Sequence, residues 1–114
     1  MSSDHPSRYA IYLANLDPTM GSEINITRPV VVVSDNNMNK FLETLVACPL
    51  TTKIHKGWRS RVQIKYQGKH AEIAVDQIRT ISKKRLIKKL DKLNTSNAQL
   101  LRMTINEMYG ERSV

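Results

Sequence analysis

Residues Gly21–Ser34 read GSEINITRPVVVVS, a polar loop that runs through Arg28 into four consecutive valines. Val30–Val33 are β-branched and apolar at successive positions, which predicts a strand buried on both faces. Pro29 is expected at the first position of that strand, where a missing N–H is tolerated. It also biases Arg28 away from helical geometry toward an extended backbone. A guanidinium is thus held at the mouth of a rigid strand. Glu23 lies in the same loop, after Gly21 and Ser22, which favour a tight bend.

Working outward, Tyr9–Leu16 (YAIYLANL) is almost wholly apolar and reads as a strand halted by Asp17-Pro18. The loop Asp17–Arg28 spans about a dozen residues without periodicity, and loops of that length are commonly functional. Asp35–Lys40 (DNNMNK) predicts a short helical turn or loop. Leu42–Leu50 reads as a third strand, and Pro49 places it at a sheet edge or finishing there. Arg61–Tyr66 (RVQIKY) alternates, with Val62, Ile64 and Tyr66 on one face and Arg61, Gln63 and Lys65 on the other. That pattern predicts an antiparallel strand showing a cationic side to water. Gln67-Gly68-Lys69 makes a hairpin turn into a strand at His70–Val75. Asp76-Gln77 interrupts before a short strand, Ile78–Ile81. In Ser82–Leu93 the local pattern of Leu86, Leu90 and Leu93 behind a capping serine is that of an amphipathic helix. A last helix starts at Thr95 or Ser96, aligns Leu101, Ile105 and Met108, and stops at Gly110. Strands followed by one closing helix give a single domain: a small β-barrel or curled sheet with a helix covering one side.

The 114 residues are enough to bury about two-thirds of the unfolded surface. No apolar run approaches a membrane span, and Met1–Arg8 lacks the apolar core of a signal peptide, so a non-membrane, cytoplasmic protein is expected. The lone Cys48 rules out an internal disulfide and fits a reducing compartment. Eighteen Lys and Arg against ten Asp and Glu give +8, with a pI near 9.9. That balance suits a polyanion such as nucleic acid, because neutralised phosphates release counterions. Four Tyr, one Phe and one Trp are too few for an extended aromatic stacking platform. The His and Cys positions show no metal-ligand spacing, so no metal or cofactor is expected.

Three blocks stand in order: YLANLDPTMGSEINITRPVVVVS at Tyr12–Ser34, VACPLTTKI at Val46–Ile54, and IAVDQIRTISKKRL at Ile73–Leu86. Their order and spacing resemble the MazF/PemK family of toxin endoribonucleases, the mRNA interferases of toxin–antitoxin systems. The resemblance runs from about Tyr9 to Gly110. It implies a mainly β (α+β) fold, an SH3-like or CcdB-like barrel with a C-terminal α-helix, working as a homodimer. It also implies a short helical turn followed by a strand at Ser82–Leu93, against the local pattern. The first strand departs from the family, which opens with Arg-Gly-acid where this chain has Arg8-Tyr9-Ala10. Some relatives carry His at Ser22 and Arg at Ala74.

The implied chemistry is metal-independent transesterification, in which the RNA 2′-OH attacks its own phosphorus and leaves a 2′,3′-cyclic phosphate. The family places its essential arginine at Arg28, whose planar fork of donors suits phosphate oxygens. Thr51 matches its functional threonine, with Thr52 a weaker second hydroxyl. Glu23 is either general base or the residue that holds Arg28. Ser22 and Asn25 in the same loop, Asp76 and Gln77 in the D-Q-x-R-T block, and His55 are further substrate-binding candidates. His55 is an acid–base group by its ordinary pKa, although the family needs none there. Lys53, Lys56, Arg59 and Arg61 are expected to form a phosphate-tracking rim. The implied partners are single-stranded RNA and an antitoxin whose acidic tail covers the cationic groove. Two alternatives stand beside this reading. One is a gyrase poison of the same fold, although the C-terminal end Tyr109–Val114 carries no Trp. The other is a non-catalytic basic nucleic-acid-binding barrel.

Overall fold

The computed structural model describes residues 5–16 and 27–111. The proposed loop residues Ser22, Glu23 and Asn25 lie outside them. β1 (Ala10–Asn15), β2 (Thr27–Val32) and β3 (Thr44–Thr51) form the middle of an antiparallel sheet, with the helix α1 (Asn36–Phe41) between β2 and β3. β4 (Arg61–Tyr66) and β5 (Lys69–Ala74) make a hairpin that joins through β5 to the C-terminal end of β3. β6 (Arg79–Ser82) pairs with the N-terminal half of β3, and β7 (Leu86–Lys92) closes onto β1. The sheet therefore runs β4-β5-β3-β2-β1-β7, with β6 branching from β3. One strand serving two partners along one edge makes the sheet curl. The final helix α2 (Thr95–Tyr109) packs across one face.

The four valines do what their pattern requires. Val31 and Val33 point into the larger core with Ile11, Cys48, Leu50, Ile73 and Leu101, under α2. Val30 and Val32 point the other way, into a smaller cluster with Ala14, Leu45, Ala47 and Ile81. Cys48 is fully buried in β3, and burial first, then the Asp76 charge, pushes its thiol up to about 12.

Several sequence expectations need correction. β2 begins at Thr27, so Pro29 is its third residue and not its first. The proline is tolerated because pairing with β3 begins only at Val30. Pro49 does not mark an edge, since β3 is the central strand. It falls in the gap between the β6 partner of Ala47 and the β5 partner of Leu50, where that side has no ladder. Ser82–Leu93 is a 3-10 turn at Lys83–Arg85 followed by β7, as the family resemblance implied. The cap of α2 is Asn94, whose side chain accepts from the Asn97 N–H, rather than Thr95 or Ser96. Gly110 ends the helix at φ −77°, outside the left-handed region. A Cβ there would collide with the Asn106 carbonyl, so glycine supplies room and not an unusual φ.

Three positive φ angles bear on the fold. The β4–β5 turn has Gln67 at φ 52° and Gly68 at φ 74°, the pattern of a tight two-residue hairpin turn. Tyr9, where the resembled family carries glycine, sits at φ 71°. Its backbone is pinned by Tyr9 N–H to Val32 O (2.6 Å) and Leu93 N–H to Tyr9 O (2.9 Å). Its ring packs against the larger core, which compensates the cost of that conformation.

Candidate active site

The β2–β3 register pairs Val30 with Pro49, Val31 with Cys48 and Val32 with Ala47. Two residues further along, the same register sets Arg28 opposite Thr51. Thr51 pairs with Glu72 on β5, and Glu72 with Gln63 on β4. Residues directly opposite share a face, so Thr51, Glu72 and Gln63 form one polar row across β3, β5 and β4, with Arg28 in line with it beyond the end of the β2–β3 ladder. This row lies just beyond the small apolar cluster on the face away from α2. Along that face the sheet turns from apolar to polar, and the candidate site begins there.

Arg28 is exposed, and Arg28, Thr51 and Lys53 line both of two clefts of roughly 740 and 760 Å³. The first also contains Thr52, Tyr66 and Lys69; the second contains His55, Trp58, Arg61, Asp76, Gln77 and Arg79. The three shared residues form the ridge between the clefts. The Thr51 Oγ1 accepts the Lys53 N–H at 3.1 Å. This is the turn-forming role common for threonine at a strand end, and it leaves the hydroxyl proton available to a ligand oxygen.

Behind the second cleft lies a charged network with Glu72 at its centre. Glu72 is fully buried and accepts from His55 N (2.7 Å), Arg61 Nη1 (2.8 Å) and Gln63 Nε2 (3.1 Å). Burial alone would raise its pKa. The His55, Gln63 and Arg61 hydrogen bonds outweigh that and hold the carboxyl below its ordinary value. Arg61 Nε donates to Asp76 Oδ1 at 2.8 Å, and the Ser60 hydroxyl donates to the same oxygen at 2.9 Å. The Arg61 bond foremost lowers the Asp76 pKa, and the Asp76 bond foremost raises that of Arg61. Arg61 Nη1 also lies 3.1 Å from His55 Nδ1. A guanidinium can only donate, so Nδ1 accepts and neutral His55 carries its proton on Nε2. Trp58 stacks on His55 with centroids 4.1 Å apart, and the Arg61 guanidinium sits 4.7 Å from the Trp58 ring centre.

The rim assignment therefore changes for two residues. Arg61 is buried and neutralised by Glu72 and Asp76, because its β4 position faces Glu72 on β5 and Asp76 in the turn just after it, and not water. Arg59 pairs with Glu107 of α2. Lys53 stands on the ridge, and Lys56 is exposed but lines neither cleft. Glu72 was missed by sequence reasoning. The available signal was a carboxylate embedded in the apolar run Ala71–Val75.

A curled antiparallel sheet with one covering helix, whose cationic ridge divides two clefts, defines a small basic α+β protein. A family profile described as PemK-like, MazF-like toxin of type II toxin–antitoxin system matches residues 7–109. The chain belongs to that family. Solved structures agree on the fold. A MazE–MazF complex (Form-II) from Deinococcus radiodurans matches at TM-score 0.81 and 21% identity, covering 96% of this chain and 100% of that one. An endoribonuclease in complex with its cognate antitoxin, from a mycobacterial species, gives 0.79 and 21%, over 96% and 99%. The Mycobacterium tuberculosis toxin MazF-mt6 gives 0.74 and 20%, over 88% and 95%. Among the described residues no helix is long and apolar enough to cross a membrane.

Proposed function

We propose that this toxin is an endoribonuclease that cuts single-stranded mRNA by attack of the 2′-OH on the adjacent phosphorus. The observation that carries the reading is that Arg28 and Thr51, at the ends of neighbouring strands, both line the two clefts. A chain crossing the ridge between those clefts puts one phosphate between a fixed cation and a free hydroxyl proton. Arg28 neutralises charge developing on the phosphorane oxygens, and Thr51 donates to one of them. His55 offers its Nε2 proton to a phosphate or to the leaving 5′-oxygen. Asp76 and Glu72 are committed to Arg61 with lowered pKa values, which makes both weak bases at neutral pH. For the proton of the 2′-OH the sequence offers Glu23 of the preceding loop, either as this base or as the residue that holds Arg28.

The same cationic face suits an antitoxin with an acidic tail, in line with the complexes formed by the two antitoxin-bound relatives. We take the active unit to be a homodimer, for which a solution mass of twice the 13.0 kDa chain is expected. The deciding assay incubates purified protein with single-stranded RNA in EDTA. Cleavage to 5′-OH and 2′,3′-cyclic phosphate ends is expected, and Arg28→Ala should reduce the rate by about 10²–10³-fold. Intact RNA with arrested gyrase would point to the gyrase-poison alternative. Retarded but uncut RNA would point to a non-catalytic binding barrel.

A further inference from the structure

Trp58 is the only tryptophan in the chain, and half of its surface is exposed beside the second cleft. Exposing a large apolar ring costs free energy unless something covers it. The groups already in contact with it occupy one side only. His55 and the Arg61 guanidinium both lie over the indole, yet their nearest nitrogens are 3.1 Å apart. Two groups sandwiching a ring would stand roughly 7 Å apart, twice the ordinary contact distance. His55 and Arg61 therefore share one face, and among the described residues no ring or cation stacks on the other face of the indole.

The ring is also rigidly mounted. Trp58 N–H donates to His55 O at 3.3 Å across a turn with Gly57 at φ 87°, and Arg61 N–H donates to Trp58 O at 3.2 Å. Val75 N–H donates to Ser60 O at 2.9 Å and ties the loop to the residue before Asp76. From α2, Glu107 holds Arg59 and the Tyr109 hydroxyl holds Val75 O at 2.7 Å. A flat apolar face is thus fixed in the cleft that Arg28 and Thr51 also line.

We propose that the face of Trp58 away from His55 and Arg61 is a stacking subsite for one unpaired nucleobase of the RNA, in the same cleft as the phosphate held by Arg28 and Thr51. This rests on the endoribonuclease reading and adds to it a base-binding position. Few aromatics exclude an extended platform, but a single nucleotide subsite needs one ring. Every base has a π-face, so the subsite anchors a base without by itself selecting which one. Arg61 and His55 on the far face hold the ring in place as the base docks.

Because Trp58 is unique, its own fluorescence reports the contact. The full-length wild-type protein is titrated with a mixed-sequence 2′-O-methyl RNA 12-mer, which lacks the attacking hydroxyl. The same titration uses a base-free ribose–phosphate strand of equal length. Saturable quenching by the first strand and none by the second is the expected result. Trp58→Ala should weaken 12-mer binding on the order of 10- to 100-fold, and Trp58→Phe should retain most of it. Binding and cleavage of RNA with unmoved Trp58 emission would overturn the stacking subsite and leave the nuclease reading intact. Equal quenching by both strands would also overturn it. Neither binding nor cleavage would overturn both.

Discussion

At Thr51 two hydrogen-bonding capacities separate. The oxygen accepts from Lys53 N–H and fixes the turn, while the proton is available to a ligand oxygen, in the proposed mechanism that of the phosphate. Thr51→Ala removes both, so its loss alone would not distinguish catalysis from local structure. Thr51→Ser restores both and should restore the rate. We expect Thr51→Ala to lower RNA cleavage about 10²-fold and Thr51→Ser to stay near wild type. In cells, wild-type expression should arrest growth and Thr51→Ala expression should be tolerated. Equal toxicity of the two would refute the role given to Thr51. That Arg28 and Thr51 stand at the ends of neighbouring strands was legible in the sequence, through the T-R-P-V and P-L-T-T blocks. Glu72 was not, because its value depends on three donors brought together by folding, from the Thr51–Arg61 loop and β4. Local patterning carries no trace of such a convergence.

Among the elements, β4 and β5 carry the network, and it has a clear signature in acid. The folded protein holds Glu72 and Asp76 below their ordinary values of 4.5 and 3.8. Between the folded and unfolded pKa values the unfolded chain binds more protons, so stability rises with pH there. The contribution is complete above the ordinary carboxylate range and is lost as pH falls below about 4 through the folded values. Glu72→Gln should flatten that acid limb. At pH 7 it should cost about 3 kcal/mol in a urea titration, since it strips a buried guanidinium of one partner. An unchanged acid limb would contradict the network's contribution. The strand β7 shows why the other misreading arose. Its register against β1 shifts twice, so Ile87 and Leu90 have no opposite residue. Each extra residue moves the side chains that follow to the other face, and the period of two disappears. What remained in the sequence was a leucine spacing that fits a helix equally well.

Over the whole molecule the +8 charge acts as a field, and the exposed cations on the ridge set where it is used. Binding of single-stranded RNA should weaken steeply with salt. For three or four neutralised phosphates the slope of log K against log salt is about −2 to −3. Arg28→Ala should make it shallower by about 0.7, one phosphate's share. A slope near zero would mean that the charge is not engaged. The fold class and the closing helix were legible from binary patterning alone. The branching of β3 between β5 and β6 was not, because it depends on which strands meet in space.

The position of Cys48 has a practical consequence. Its sulfur sits fully covered in the strand that three others lean on, with a thiol that hardly ionises at neutral pH. A thiol-specific dye can react only when the centre of the sheet comes apart. Labelling rates should therefore track complete unfolding, as measured independently by denaturant kinetics. This single native atom would then serve as a built-in timer for how long a toxin molecule stays folded.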